Sequence, residues 1–190
     1  MQRLRADQPI QGTETTMLDF WQWAYSSPLV NVERGVLAEY LVGCALDVVS
    51  TVRIPWDAFD LVYKDHAVEV KSSAYIQGWK QPQPTTPIFT ISAALEQTQD
   101  ATGKWVSDTK PVRHASVYVF ALFAEKDREK AVANVLDVAA WEFYVLSTGR
   151  LDTELGTQKR VGIGTLSGMT SPVAYTALRG AVDEAIDTRH

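Results

Sequence analysis

One cysteine, Cys44, stands in 190 residues. No disulfide can close within the chain, and a reducing, cytoplasmic compartment is the expectation. No apolar run approaches the ~20 residues that a membrane span needs. The opening MQRLRADQPIQGTETT has no apolar stretch and does not read as a secretory signal. Residues 1–16 are expected to form a flexible tail ahead of one domain over 17–190. The three histidines follow no zinc-binding spacing. The segment GIGTLSG (Gly162–Gly168) lacks both the G-x-G-x-x-G order and the Lys-Ser/Thr ending of a phosphate loop, so it reads as loop and strand. No serine or cysteine has a recognisable nucleophile setting. Basic excess is missing too: 18 Lys and Arg against 23 Asp and Glu leave a net charge of −5. That argues against a broadly basic nucleic-acid-coating protein, but not against acids that bind a cation.

What is present suits one self-sufficient core: 46% hydrophobic and 22% charged residues. MLDFWQWAY (Met17–Tyr25) predicts a short helix after the Thr15/Thr16 cap signal. Asn31 is placed as the N-cap of a second helix running to about Val48, apolar almost all round and expected to be deeply buried. Phe59–Tyr63 and Ala67–Ser73 read as strands joined by Lys64-Asp65-His66. From Tyr75 to Pro111, glutamines, prolines and threonines dilute the pattern into a long, partly irregular excursion with one strand candidate, Ile88–Ala94. His114–Ala124 predicts a central strand, Trp141–Leu146 another, and Asp127–Val138 a helix between them. Val161–Leu166 reads as a strand and Pro172–Ile186 as a closing helix. The expectation is one α/β domain with a mixed central sheet flanked by helices.

Chemistry concentrates in GVLAEYLVG and WDAFDLVYKDHAVEVKSS. Strand alternation puts Glu69 and Lys71 on one face, Val68 and Val70 on the other. A two-residue Asp65-His66 turn would set Asp60 opposite Lys71 and Val62 opposite Glu69. An odd-length turn would reverse Asp60 unless a bulge corrected the register. Glu39 is an acid within an apolar helix, with Gly35, Val36, Gly43 and Leu46 at helical spacing; small residues there would let the helix approach a sheet closely. Its alternatives are a solvent stripe or a pair with Arg34. Carboxylates converging beside a lysine can hold a hard divalent cation and position a water for attack on a phosphodiester.

This arrangement resembles the PD-(D/E)XK nuclease superfamily, whose fold is restriction-endonuclease-like. Its pattern is a helix carrying Glu, an Asp near the start of a strand, then (D/E)-x-K on the next strand. Glu39, Asp60, Glu69 and Lys71 stand in those places, within residues 35–73, about a fifth of the chain. No proline precedes Asp60; Pro55-Trp56-Asp57 offers Asp57 as a competitor, and Asp60 is preferred because it opens the strand. The resemblance implies Mg²⁺-dependent cleavage of nucleic acid, most of all DNA, with Mn²⁺ as a substitute. It implies Asp60, Glu69 and the Val70 carbonyl as metal ligands, Glu39 acting through water or a second ion, and Lys71 orienting the attacking water or stabilising the phosphate. Homodimers are common in the family.

Ser72, Ser73, Gln77 and Trp79 follow the Lys71 strand and are candidates for nucleic-acid contacts, Trp79 by stacking on a base. Polar loop groups and a core-covering indole are the alternative. Lys80, Lys104, Lys110 and Arg113 could meet phosphates or simply be solvated. The rival to an enzyme is a catalytically inactive nucleic-acid-binding or protein-interaction module on the same fold.

Overall fold

The computed structural model describes residues 2–53, 59–95, 97–99, 105–107 and 110–188. Asp57 and Lys104 lie outside the described residues. Near the N-terminus, residues 5–17 carry local hydrogen bonds, including a Pro9–Thr16 bridge, where only a tail was expected.

Helix α1 (Met17–Tyr25) begins with a capping box: the Thr16 N–H donates to the Asp19 carboxylate at 2.7 Å, and the Asp19 N–H returns to the Thr16 hydroxyl at 3.4 Å. Helix α2 (Asn31–Leu46) starts one residue earlier than expected. Val30 holds the N-cap position and has no side-chain acceptor to cap with, while the Asn31 amide oxygen accepts from the Arg34 guanidinium at 2.8 Å. The helix is also not buried all round. Arg34, Ala38, Val42 and Leu46 form one covered stripe at four-residue spacing, while Val32 and Tyr40 face outward. Only one side of α2 meets the sheet.

The hairpin of β1 (Leu61–Tyr63) and β2 (His66–Ala74) turns on Lys64 and Asp65, both with left-handed backbone (φ 49° and 63°). The turn is even in length, as in a type I′ hairpin, but sits one residue before the expected Asp65-His66. Tyr63 therefore pairs with His66 and Val62 with Ala67, not Glu69. Among its described residues, the excursion after β2 holds three short strands. It contains β3 (Ile88–Thr90), shorter than the expected Ile88–Ala94, and a small ribbon of β4 (Gln97–Gln99) and β5 (Trp105–Ser107).

β6 (Val117–Phe123) is buried at all seven residues and runs between β2, parallel to it, and β7 (Trp141–Ser147), antiparallel. The sheet order β1-β2-β6-β7 is mixed. Helix α3 (Arg128–Asn134) bridges β6 and β7, capped by Asp127. After β7 come α4 (Thr148–Leu155), β8 (Arg160–Gly162), α5 (Ile163–Met169) and α6 (Leu178–Asp187). The expected strand Val161–Leu166 is thus a strand end running straight into a helix. GIGTLSG is mostly that helix, whose Leu166 and Met169 are buried. Helix α4 was not foreseen in a polar stretch; its Leu151 and Leu155 form the apolar edge.

Two cores lie on the two sheet faces. Val117, Val119, Ala121 and Phe123 meet α2 and α6 on one side. Tyr118, Phe120 and Leu122 meet the β3–β8 ribbon, α4 and α5 on the other. Phe120 has no exposed surface and packs edge-on to Phe89, ring centroids 5.3 Å apart. Phe120→Ala should lower the unfolding free energy by about 3–5 kcal/mol in a urea titration. The same change at exposed Leu136 should stay within about 0.5 kcal/mol.

Candidate functional site

Edge strand β1 is only three residues long. Just before it, the Asp60 N–H reaches the Val68 carbonyl at 3.2 Å although Leu61 is the residue that pairs with Val68. The pairing slips by one there, as at a β-bulge. The slip turns the Asp60 carboxylate along the edge of β2, where it accepts the Val70 N–H at 2.8 Å. Backbone alternation aims the Val70 carbonyl at this same edge, since Val68 and Val70 face β1 while the Ala67 carbonyl accepts from Ser116 beside β6.

Glu69 and Lys71 lie, as expected, on the face opposite buried Val68 and Val70, in register with Tyr118 and Phe120. Their side chains form an ion pair with each other. Glu39 comes from α2, on the other side of the sheet, and reaches the same cavity as Asp60 beside short β1. Both line this cavity of about 330 Å³ with Val36, Arg53, Phe59 and Leu61. Gly43, one turn beyond Glu39, packs under the chain that follows α2: a Cβ there would stand 2.5 Å from the Val49 side chain and at ordinary distance from Leu61. Gly35 does no such thing, since a Cβ there would meet open space.

The partner of Glu39 is Arg53, through two guanidinium nitrogens. Glu39 keeps only 12% of its side chain exposed against 42% for Arg53, so the acid is the inner member of the pair. Hydrogen bonding to Glu39 pushes the Arg53 pKa up. The expected alternative partner, Arg34, points elsewhere.

Asp60 registers all these charges. Its pKa is pushed up to about 6, first by burial, then by Glu69 and more weakly by Glu39; the Val70 N–H and Lys71 oppose the rise. Burial, with Glu69 as the next cause, also pushes the nearby Tyr118 phenol up to about 12. Three carboxylates and a lysine are thus electrostatically connected through Asp60. As the side chains stand, two acids face Arg53 and Lys71 instead of a common point. Among the described residues, no three acidic, His or Cys side chains gather closely enough to hold a metal ion. The donors of Asp60, Glu39 and Glu69 are all hard oxygens, and with Asp60 counted the three carboxylates outnumber Arg53 and Lys71 by one.

On the other side of Lys71 lies a groove of about 380 Å³ that also takes in Ser72, Ser73 and Gln77. Gln77 is buried, its amide oxygen accepting from Arg34 at 3.1 Å and its amide nitrogen donating to the Ala74 carbonyl at 2.9 Å. It is an internal brace here and not an open contact. Trp79 is half-exposed and not among the groove's lining residues. Arg113 is committed to the Ile91 and Gln158 carbonyls and to Asp152. His66, expected in the turn, opens β2.

Arg53 escaped the sequence reading, and Arg34 entered it only as a candidate partner of Glu39. For Arg34 a signal existed, because a cation in the first turn of a helix opposes the helix dipole and asks for a reason. Arg53 stands in a segment with no periodicity to place it. No protein-family model matches the chain, and no curated protein or solved structure matches it with significance.

Since folding raises the Asp60 pKa from 3.8 to about 6, ionised Asp60 costs stability. The cost is absent below the unfolded value, grows as pH rises and is complete above the folded value. Asp60→Asn keeps the acceptor for Val70 and removes the charge. It should therefore melt above the wild type at about pH 8, with the gap closing below about pH 4 in thermal denaturation. A gap independent of pH would contradict this electrostatic account.

Proposed function

We propose that the chain is a divalent-metal-dependent nuclease of restriction-endonuclease-like architecture, hydrolysing phosphodiester bonds in nucleic acid, with DNA as the first substrate to test. The observation that carries the reading is the charge coupling at Asp60. Its half-buried carboxylate accepts the Val70 N–H, lines one cavity with Glu39 and feels the charges of Glu69, Glu39 and Lys71. An excess of acid in a partly desolvated edge is costly unless a cation offsets it. The mixed sheet flanked by helices is compatible with the proposed architecture.

In this reading Asp60, Glu69 and the Val70 carbonyl hold Mg²⁺ or Mn²⁺. A bound ion would supply Lewis acidity toward the phosphoryl oxygens and lower the pKa of a water. Lys71 Nζ, released from Glu69, donates hydrogen bonds to the attacking water or to the phosphate oxygen on which charge develops. Glu39 acts on the opposite side of Asp60, with Arg53 balancing its charge until a cation arrives.

A second reading, a binding module without catalysis, is favoured by one observation: Glu39 and Glu69 are both engaged in ion pairs. Cleavage of supercoiled plasmid with Mg²⁺ or Mn²⁺ separates the two. Lys71→Ala and Asp60→Asn should each lower the rate by about 10²–10³-fold while leaving the fold intact by circular dichroism. Equal cleavage by all three proteins would assign the activity elsewhere, and no cleavage by any would favour the binding module.

A further inference from the structure

Arg34 is 3% exposed and has no carboxylate partner among the described residues. Its hydrogen bonds go to neutral oxygens: the Leu29 carbonyl at 3.1 Å, Gln77 Oε1 at 3.1 Å, Asn31 Oδ1 at 2.8 Å and Ser72 Oγ at 3.3 Å. These use four of the five N–H donors of a guanidinium. Burial lowers its pKa to about 10, so it remains a cation at neutral pH. A buried charge held only by dipoles is expensive, and an internal salt bridge would be the ordinary remedy.

A groove adjoins Arg34. Lys71, whose ammonium is paired with Glu69, lines it as well, with the hydroxyls of Ser72, Ser73, Thr86 and Thr90, and none of the described lining residues is itself acidic. Its volume of about 380 Å³ lies at the lower end of small-ligand pockets, roughly 300–1,000 Å³. The guanidinium is also held rigidly. Gln77 braces it from the chain after β2, and Gly78 lets that chain lie against the start of α2, where a Cβ would come within 3.2 Å of the Val30 backbone. Ordering costs at this wall are therefore met before any ligand arrives.

We infer that this groove is an anion site that takes a phosphate group of a nucleic-acid strand, with Arg34 as the fixed positive wall and Lys71 as the mobile one. One Arg34 N–H, on the nitrogen that also bonds Asn31, remains for a phosphate oxygen, and the Thr86 and Thr90 hydroxyls line the same groove. The assignment of the phosphate to nucleic acid rests on the proposed nuclease reading. Lys71 belongs both to this groove and to the Asp60 cluster, so a strand docked here would bring a neighbouring phosphate toward Asp60. Anion capture itself needs neither metal nor cleavage.

The test is calorimetric titration in EDTA with inorganic phosphate, and with single-stranded oligonucleotides carrying either a 5′-phosphate or a 5′-hydroxyl. Wild type should bind phosphate and oligonucleotide. Thr90→Glu puts a carboxylate into the groove from an exposed position of β3 and leaves the Arg34 hydrogen bonds in place; it should weaken both by about tenfold or more. Arg34→Gln should do the same, and Thr90→Glu keeps the test valid if that variant fails to fold. Preference for the 5′-phosphate would identify a terminal monoester as the ligand, and equal affinity a backbone diester. Absence of binding by folded wild type, or unchanged binding by folded Thr90→Glu, would overturn the inference. Because divalent ions are excluded, a failed plasmid assay leaves this result standing, and the reverse also holds.

Discussion

The hydrogen bond from the Val70 amide to the Asp60 carboxylate, at 2.8 Å, joins the sheet to the chemistry. Because β1 is short, the edge of β2 continues past it with backbone groups that need partners. Asp60 supplies one and is thereby fixed beside Glu69, while Glu39 reaches the same cavity from the opposite face. Structural and proposed chemical roles of Asp60 therefore share one cause: an acceptor is needed where the strand ends, and a charged one sits there although burial and two other acids oppose its charge.

The rest of the fold serves this edge as a platform. β6, buried at every position, and the cores on its two faces leave β2 no freedom to slide or flip. Val68 and Val70 are anchored against α2, which sends Glu69 and Lys71 to the other face. Helix α2 carries two charged residues with different settings. Glu39, near the helix middle, faces Arg53 and Asp60. Arg34, in the first turn, is locked beneath the chain that leaves β2. Lys71 lines a groove with Arg34 and acts on the charge of Asp60, so charge on one side can influence the other through it.

Much of this was legible in the residues. The strict alternation of Val-Glu-Val-Lys gave both the strand and its faces, and the apolar run VYVFALF could only sit in the middle of a sheet covered on both sides. Other features were not readable, for physical reasons. The hairpin turned on Lys64-Asp65, where non-glycine residues adopt left-handed backbone, and propensity disfavours that choice. Strand β8 passes directly into α5, so a short apolar segment served both elements and its periodicity misled. Helix α4 hid in a polar stretch because a single edge of Leu151 and Leu155 is enough to dock it. At the candidate site, the acids and Lys71 were legible but Arg53, the partner of Glu39, was not. Arg53 and Arg34 reach their partners through tertiary contacts that no local pattern encodes.

The claim on which the account turns is that the Asp60 edge accepts a divalent cation. Calorimetric titration of Mn²⁺ into the protein at neutral pH measures it most directly. The account predicts saturable binding of Mn²⁺, lost in Asp60→Asn and in Glu69→Gln. Absence of saturable binding by the folded wild type, or equal binding by wild type and both variants, would contradict it.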